Sequence, residues 1–331
     1  MAISREEAQR AGSRARHQQN GTAAGATPNG QTKPREPTWD LVSATDFVRG
    51  FQPPSYLIDG IALRSRLYSL TGKTGHGKTA VGLTMAISIV RGQPLAGRRV
   101  KPGRAVYLAA ENPDDIRMRL ILMADRLGLD LDSLPLHFVA AGFDLAGGME
   151  RLRTKVQNIG GAESVFVDTG AAFLAHGNAE DENSNMTLLR FALDLRNLTE
   201  LPGRPAAIAL MHPVKNAVKD NLIPRGGGAF LNEMDGNLTV WAEDSHENAE
   251  LHWGGKLRGP SFEPIHFALE SGCCEALVDA EGRAIPSVWA RPITASEAEQ
   301  QNERHSDDAG NVLLLLKEGG GAKSLRKMAE H

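Results

Sequence analysis

An α/β fold, a mostly parallel sheet between layers of helix, is the architecture this sequence predicts, and three observations carry it. Short apolar runs at residues 67–71, 105–110, 136–140, 164–168 and 206–211 are each bounded by glycine, proline or charge, as buried strands are. Longer amphipathic patterns with helical period lie between them, at 79–91, 113–127, 149–157 and 185–198. Strands that alternate with helices of this length pair in parallel and need cover on both faces. After Met211 the character changes. Runs at 236–242, 249–255 and 264–269 are short and close to turn residues, which predicts antiparallel strands extending the sheet.

The rest of the chain divides by composition. Residues 1–37 are rich in Gln, Asn, Gly, Thr and Arg with almost no large apolar side chain, so they cannot bury enough surface to offset their ordering entropy and read as a disordered tail. Residues 38–293 form the core domain. The polar stretch 294–309 reads as a linker, and 310–331 as a helix, a glycine turn and a second helix, either the start of a truncated helix-turn-helix module or an amphipathic tail. Of the 331 residues 41% are hydrophobic and 23% charged, values of an ordinary globular protein. A formal charge of −3 supplies no global basic field, so any nucleic acid must be met by a local patch or an assembled ring. The only cysteines, Cys273 and Cys274, are adjacent and have no metal-ligand spacing around them. With no signal-like or spanning apolar run, a cytoplasmic protein away from the membrane is the expectation.

The chemistry begins at Gly72-Lys73-Thr74-Gly75-His76-Gly77-Lys78-Thr79, which matches the phosphate-loop pattern GxxxxGK[ST] in full. It follows a predicted strand and opens a predicted helix, the context phosphate binding demands. Glycines let main-chain N–H groups turn toward an anion, and the helix start adds partial positive charge. ATP is the expected ligand, with Lys78 on its outer phosphates and the Thr79 hydroxyl in the shell of a Mg²⁺ ion.

A Mg²⁺ held between phosphates needs a carboxylate on a neighbouring strand. The run 164–168 ends in Asp168, an acid costly to bury without such a partner, and it is read as the second metal-binding residue. Hydrolysis also needs a group that activates water. Glu111 closes the run 105–110 and, in a doubly wound sheet, lies at the carboxyl end where ligands sit. His212 ends the fifth strand and is read either as a γ-phosphate sensor or as a packed histidine. Lys256 and Arg258, in Gly255-Lys256-Leu257-Arg258-Gly259-Pro260, share a direction if the segment is extended. They read either as fingers that neutralise phosphate charge, or as a solvated basic edge. Arg225-Gly226-Gly227-Gly228 reads as a flexible glycine loop.

These motifs in this order, with Tyr56-Leu57-Ile58-Asp59-Gly60 ahead of them and Gly226-Gly227-Gly228 before the Lys-x-Arg, resemble the RecA-like ATPases of the RepA type, found in plasmid and phage replication proteins. The resemblance runs from about Tyr56 to Phe267. It implies a hexameric ring with nucleotide between subunits, Glu111 as catalytic glutamate, His212 as γ-phosphate sensor, and Lys256 with Arg258 as fingers acting on a neighbour's site. It also places Arg225 in a loop that faces single-stranded DNA. Here that loop is Arg-Gly-Gly-Gly-Ala-Phe, poor in the charge and aromatic density that bind a single strand. The expected function is therefore an oligomeric ATPase in DNA replication, helicase-like. The alternative is an ATP-switched regulator or loader that does not unwind. A nucleotide kinase is disfavoured by the lack of a basic lid segment.

Overall fold

The computed structural model describes residues 41–174, 185–242 and 247–304. The expected tail over 1–37 and the expected helical module over 310–331 lie outside the described residues. Residues up to Gln52 form one unit and those from Pro53 a second. Among the described residues of the first unit, a short helix, α1 (Ala44–Val48), is capped by Ser43, whose side chain accepts from the Asp46 amide.

The second unit opens with an antiparallel ribbon of β1 (Tyr56–Ile58) and β2 (Ala62–Leu63). The α/β part follows in the order β3 (Leu67–Thr71), α2 (Lys78–Arg91), β4 (Ala105–Ala109), α3 (Pro113–Leu127), β5 (Leu136–Val139), α4 (Leu145–Asn158), β6 (Ser164–Asp168), α5 (Gly170–Leu174), α6 (Asn185–Asn197), β7 (Ala206–Met211), α7 (Gly227–Glu233) and β8 (Gly236–Ala242). Three long strands complete it: β9 (Asn248–Leu257), β10 (Ile265–Gly272) and β11 (Ser287–Ile293). They make one nine-stranded sheet in the order β11-β10-β9-β8-β3-β7-β6-β4-β5.

The five predicted central strands pair in parallel, and β9 to β11 extend the sheet in antiparallel fashion. Strand β8 differs from expectation. It runs parallel to β3, with Tyr68 opposite Gly236, and only its other edge meets an antiparallel neighbour, β9. The reversal thus comes one strand later than the change in sequence character.

Alternation along each strand divides the core between two faces, as a side-chain period of two requires. Tyr68, Leu70, Tyr107, Phe166, Ile208 and Leu210 pack with α2 and α3 on one face. Val106, Leu108, Val165, Val167 and Ala209 pack with α4, α6 and α7 on the other. Helix α2 is buried along almost its whole length, Ala80 to Val90, which explains why it is apolar all round rather than striped. On the first face the rings of Tyr107 and Phe166 stack with centroids 5.5 Å apart, a contact worth about 0.5–1.5 kcal/mol beyond its burial.

The stretch read as a linker, 294–309, is helical from 295 to 304. A reciprocal cap starts it. Thr294 Oγ1 accepts from the Glu297 amide at 3.2 Å, and a Glu297 carboxylate oxygen accepts from the Thr294 amide at 2.8 Å. Ala298 anchors this helix against Ala268 and Ile293. Likewise, the glycine loop of the sequence reading is the beginning of α7, with Gly226 as its N-cap.

Candidate nucleotide site

Strand β3 delivers the chain into Gly72–Thr79, and α2 takes it away. Gly72 is required by space: a Cβ there would sit 2.7 Å from the Val240 carbonyl oxygen and 2.8 Å from Lys78 Cγ. Gly77 caps α2 at φ +83°, a left-handed conformation that glycine adopts without strain. Gly77 also has no side chain with which to cap, so the start of α2 has no side-chain cap hydrogen bond. Amides without such a cap, with the helix dipole behind them, are the standing requirement of an anion site.

Two further residues of the loop, His76 and Lys73, tie it to β8. His76 is buried, its Nδ1 accepts from the Ala242 amide at 2.9 Å, and its ring meets Trp241 edge-on. Lys73 lies over the same indole, 4.7 Å from the centroid, while its carbonyl accepts from Lys78 Nζ at 3.1 Å. Beneath the loop Asn237 ties three strands together. Its Oδ1 accepts from Ser69 at 2.9 Å and Thr71 at 2.6 Å, and its Nδ2 donates to the Leu222 and Gly254 carbonyls. The loop therefore rests on a satisfied polar network in the core, which keeps it in shape.

Strand β6 lies two places from β3 and ends on Asp168, so the acid reaches the start of α2. Thr79 Oγ1 donates to its Oδ1 at 3.3 Å, and Tyr107 donates to its Oδ2 at 2.7 Å. Burial pushes the Asp168 carboxyl up to about 6, against the pull of these two hydroxyls and of Lys78. The Lys78 ammonium is depressed by burial and supported by Asp168 and Glu111. Asp168 and Thr79 together are hard oxygen donors next to an anion cradle. Mg²⁺ takes one or two such ligands and fills its shell with phosphate oxygens and water, so the donor set fits it. Among the described residues no group of three or more His, Cys, Asp or Glu is placed to hold a metal by itself.

The third part of the site lies past β4. This strand ends at Ala109, and Glu111 follows in the bend before α3, whose N-cap is Asn112. Thr169 Oγ1 donates to Glu111 Oε2 at 2.6 Å, fixing a side chain that is otherwise half exposed. His212 follows β7 with Nε2 3.9 Å from Glu111 Oε1. Burial and then the charge of Lys78 lower the His212 pKa, so the imidazole is neutral near pH 7. The loop, Lys78, Thr79, Glu111, Asp168 and His212 thus line one open cavity of about 520 Å³ at the carboxyl ends of the parallel strands.

Lys256 and Arg258 are not in that cavity. They end β9, where Leu257 pairs with Gly236, the first residue of β8, at the opposite end of the sheet from the phosphate loop. Lys256 Nζ donates to the Leu231 and Asn232 carbonyls, and Arg258 Nη1 to Asp235.

Sequence reading passed over Tyr107 and Thr169, which hold the two acids, and the far wall of the cavity. There α3 supplies Ile116 and Arg119, while β10 and β11 supply Leu269 and Val288. Arg119 bridges Asp115 and the Val288 carbonyl and so fastens the two walls together. Only the register between strands reveals the acid-holding role of Tyr107, which sits two pairs before the Ala109–Asp168 match of β4 and β6.

Residues 32–218, more than half of the chain, match the AAA domain family, and the chain belongs to that family. It is a P-loop ATPase domain. No curated protein matches it. Among the described residues no helix is long and apolar enough to cross a membrane.

Proposed function

We propose that this chain is a RecA-like ATPase of the RepA type that hydrolyses ATP in an assembled ring and drives a replication step on single-stranded DNA. One observation carries the reading. The phosphate loop, Lys78 and Glu111 line one cavity, while the basic pair Lys256–Arg258 lies at the other end of the same sheet. A second copy stacked head to tail would bring that pair to the first copy's phosphates, which is how a ring closes sites between subunits.

In this reading the loop amides and Lys78 hold the β- and γ-phosphates. Thr79 and Asp168 would hold Mg²⁺, which supplies charge neutralisation across the phosphates. Glu111, oriented by Thr169, accepts the proton of the attacking water. His212, neutral and within reach of Glu111, senses the γ-phosphate. Removing the Lys78 ammonium is expected to weaken ATP binding by about 1.5–3 kcal/mol, or roughly ten- to hundredfold, in a fluorescent-nucleotide titration of Lys78→Ala.

A specific observation favours a second reading, an ATP-switched loader. The segment expected to face DNA is helical, and its one aromatic residue, Phe230, is fully buried, so it offers no ring for a base to stack on. Three measurements separate the readings: particle mass with a non-hydrolysable ATP analogue, ATPase rate with and without single-stranded DNA, and opening of a forked duplex. A ring with DNA-stimulated turnover and unwinding is expected. A ring whose ATPase ignores DNA and opens no fork is the loader, and a monomer under all conditions overturns both.

A further inference from the structure

The start of β8 holds a carboxylate that the nucleotide site does not use. Asp235 is buried, its side chain 2% exposed, at the end of the sheet remote from the phosphate loop. Its Oδ2 accepts from the Leu67 amide at 3.0 Å and from Arg196 Nη1 at 3.2 Å. Its Oδ1 accepts from Arg258 Nη1 at 3.0 Å. Main-chain bonds reinforce the clamp: the Asp235 amide donates to the Leu67 carbonyl, and the Arg258 amide to the Asp235 carbonyl, both at 2.7 Å. Arg196 also donates to the Glu233 carbonyl, which fixes the turn between α7 and β8.

Arg258 itself is 60% exposed. One nitrogen of its guanidinium is held from below, and most of the side chain faces solvent. Lys256, its partner along β9, is held at the carbonyl end of α7. An ion pair whose arginine is mostly exposed adds little net stability, because solvent screens the attraction. What it does supply is order. An arginine already fixed in one rotamer has less freedom to lose when it meets an anion, and its direction is set before the encounter.

We infer that Asp235, braced by Arg196 and the β3 amide, is the positioning residue for Arg258, presetting its guanidinium for the phosphates of an adjoining subunit. The inference rests on the reading of Arg258 as a trans-acting finger. It adds that the finger is aimed by a carboxylate within its own chain, a residue that never touches nucleotide.

The test compares Arg258→Ala, Asp235→Asn and the double variant, each alone and mixed with Lys78→Ala subunits. Steady-state ATPase, nucleotide affinity and particle mass are measured for all. A finger misplaced by about 1 Å can cost on the order of a hundredfold in rate, so Asp235→Asn is expected to lower kcat by about 10- to 100-fold. KM, nucleotide affinity and particle mass should stay near wild type. The double variant should be no slower than Arg258→Ala, because the carboxylate acts through the arginine. Mixing with Lys78→Ala subunits should restore turnover to Asp235→Asn, since the added subunits bring correctly aimed fingers to intact sites. General loosening of the fold would not be repaired that way.

If Asp235→Asn does not fold, Asp235→Glu keeps the charge and displaces the guanidinium by about one C–C bond, about 1.5 Å, and the same pattern is expected of it. Wild-type kcat in the folded variant, or a loss that mixing does not repair although Arg258→Ala is repaired, overturns the positioning role alone. Wild-type turnover in Arg258→Ala overturns the finger reading, and the inference with it.

Discussion

Glu111→Gln is expected to bind ATP at close to wild-type affinity while its turnover falls by about 10²–10⁴-fold. The geometry separates the two effects. Glu111 does not belong to the phosphate loop, and its fixed contact is the hydrogen bond from Thr169 to Oε2. Glutamine has the same size and still offers an oxygen to that hydroxyl, so the bend before α3 keeps its shape. It cannot accept the proton of an attacking water. Glu111 also supports the charge of Lys78 at a distance, and removing its own negative charge favours rather than opposes the phosphates. The variant should therefore trap ATP, seen as unhydrolysed nucleotide recovered with the protein after single-turnover mixing. An equal loss of binding would make Glu111 a structural residue, and its rate defect would then say nothing about proton transfer.

The contrast with Lys78→Ala shows which parts of the site sequence can reveal. Lys78, Thr79 and Asp168 were legible because their placement follows from local rules: a glycine turn between strand and helix, and an acid at the end of an apolar run. Those rules hold in any parallel sheet, since all the strands present their carboxyl ends on one side. Tyr107 and Thr169 were not legible, because their contacts cross between strands and depend on register. The direction of β8 was hidden for a related reason: its sequence is that of any buried strand, and only its place beside β3 makes it parallel. The helix at 295–304 is a different kind of miss. Its polar composition suits a linker, but Thr294-x-x-Glu297 is a reciprocal cap written in the sequence, and buried Ala298 with the Asn248–Asn302 hydrogen bond seats the helix. Asp235 was passed over because it lies far from every motif, and its importance is visible only when Leu67, Arg196 and Arg258 are seen to converge on it.

Asp168→Asn is expected to make the nucleotide-free protein more stable at pH 8 and to remove its response to Mg²⁺ and ATP. The acid is buried, and in the folded chain burial lifts its pKa from 3.8 to about 6. A folded pKa above the unfolded one means that ionised Asp168 opposes folding at pH above 6, by up to ~3 kcal/mol. The penalty shrinks as pH falls from about 6 toward 4, because the folded state takes up the proton first. Asparagine is nearly the same shape and can still accept from Tyr107, so it escapes the penalty, though it leaves Lys78 without its nearest counter-charge. A net gain of about 1–2 kcal/mol follows, or a Tm rise of roughly 2–6 °C. At pH 5, where much of the folded wild-type carboxyl is already neutral, the penalty falls by about half, roughly 1.4 kcal/mol, so the advantage over wild type should nearly close. Adding Mg²⁺ and ATP should then reverse the order, raising the wild-type Tm and leaving the variant almost unmoved, because the residue that costs stability in the empty protein is the one that would ligate the metal. Equal melting of the two proteins at pH 8 without nucleotide would mean that Lys78 and the two hydroxyls already compensate the charge in full, and the site would then hold its acid without strain awaiting a cation.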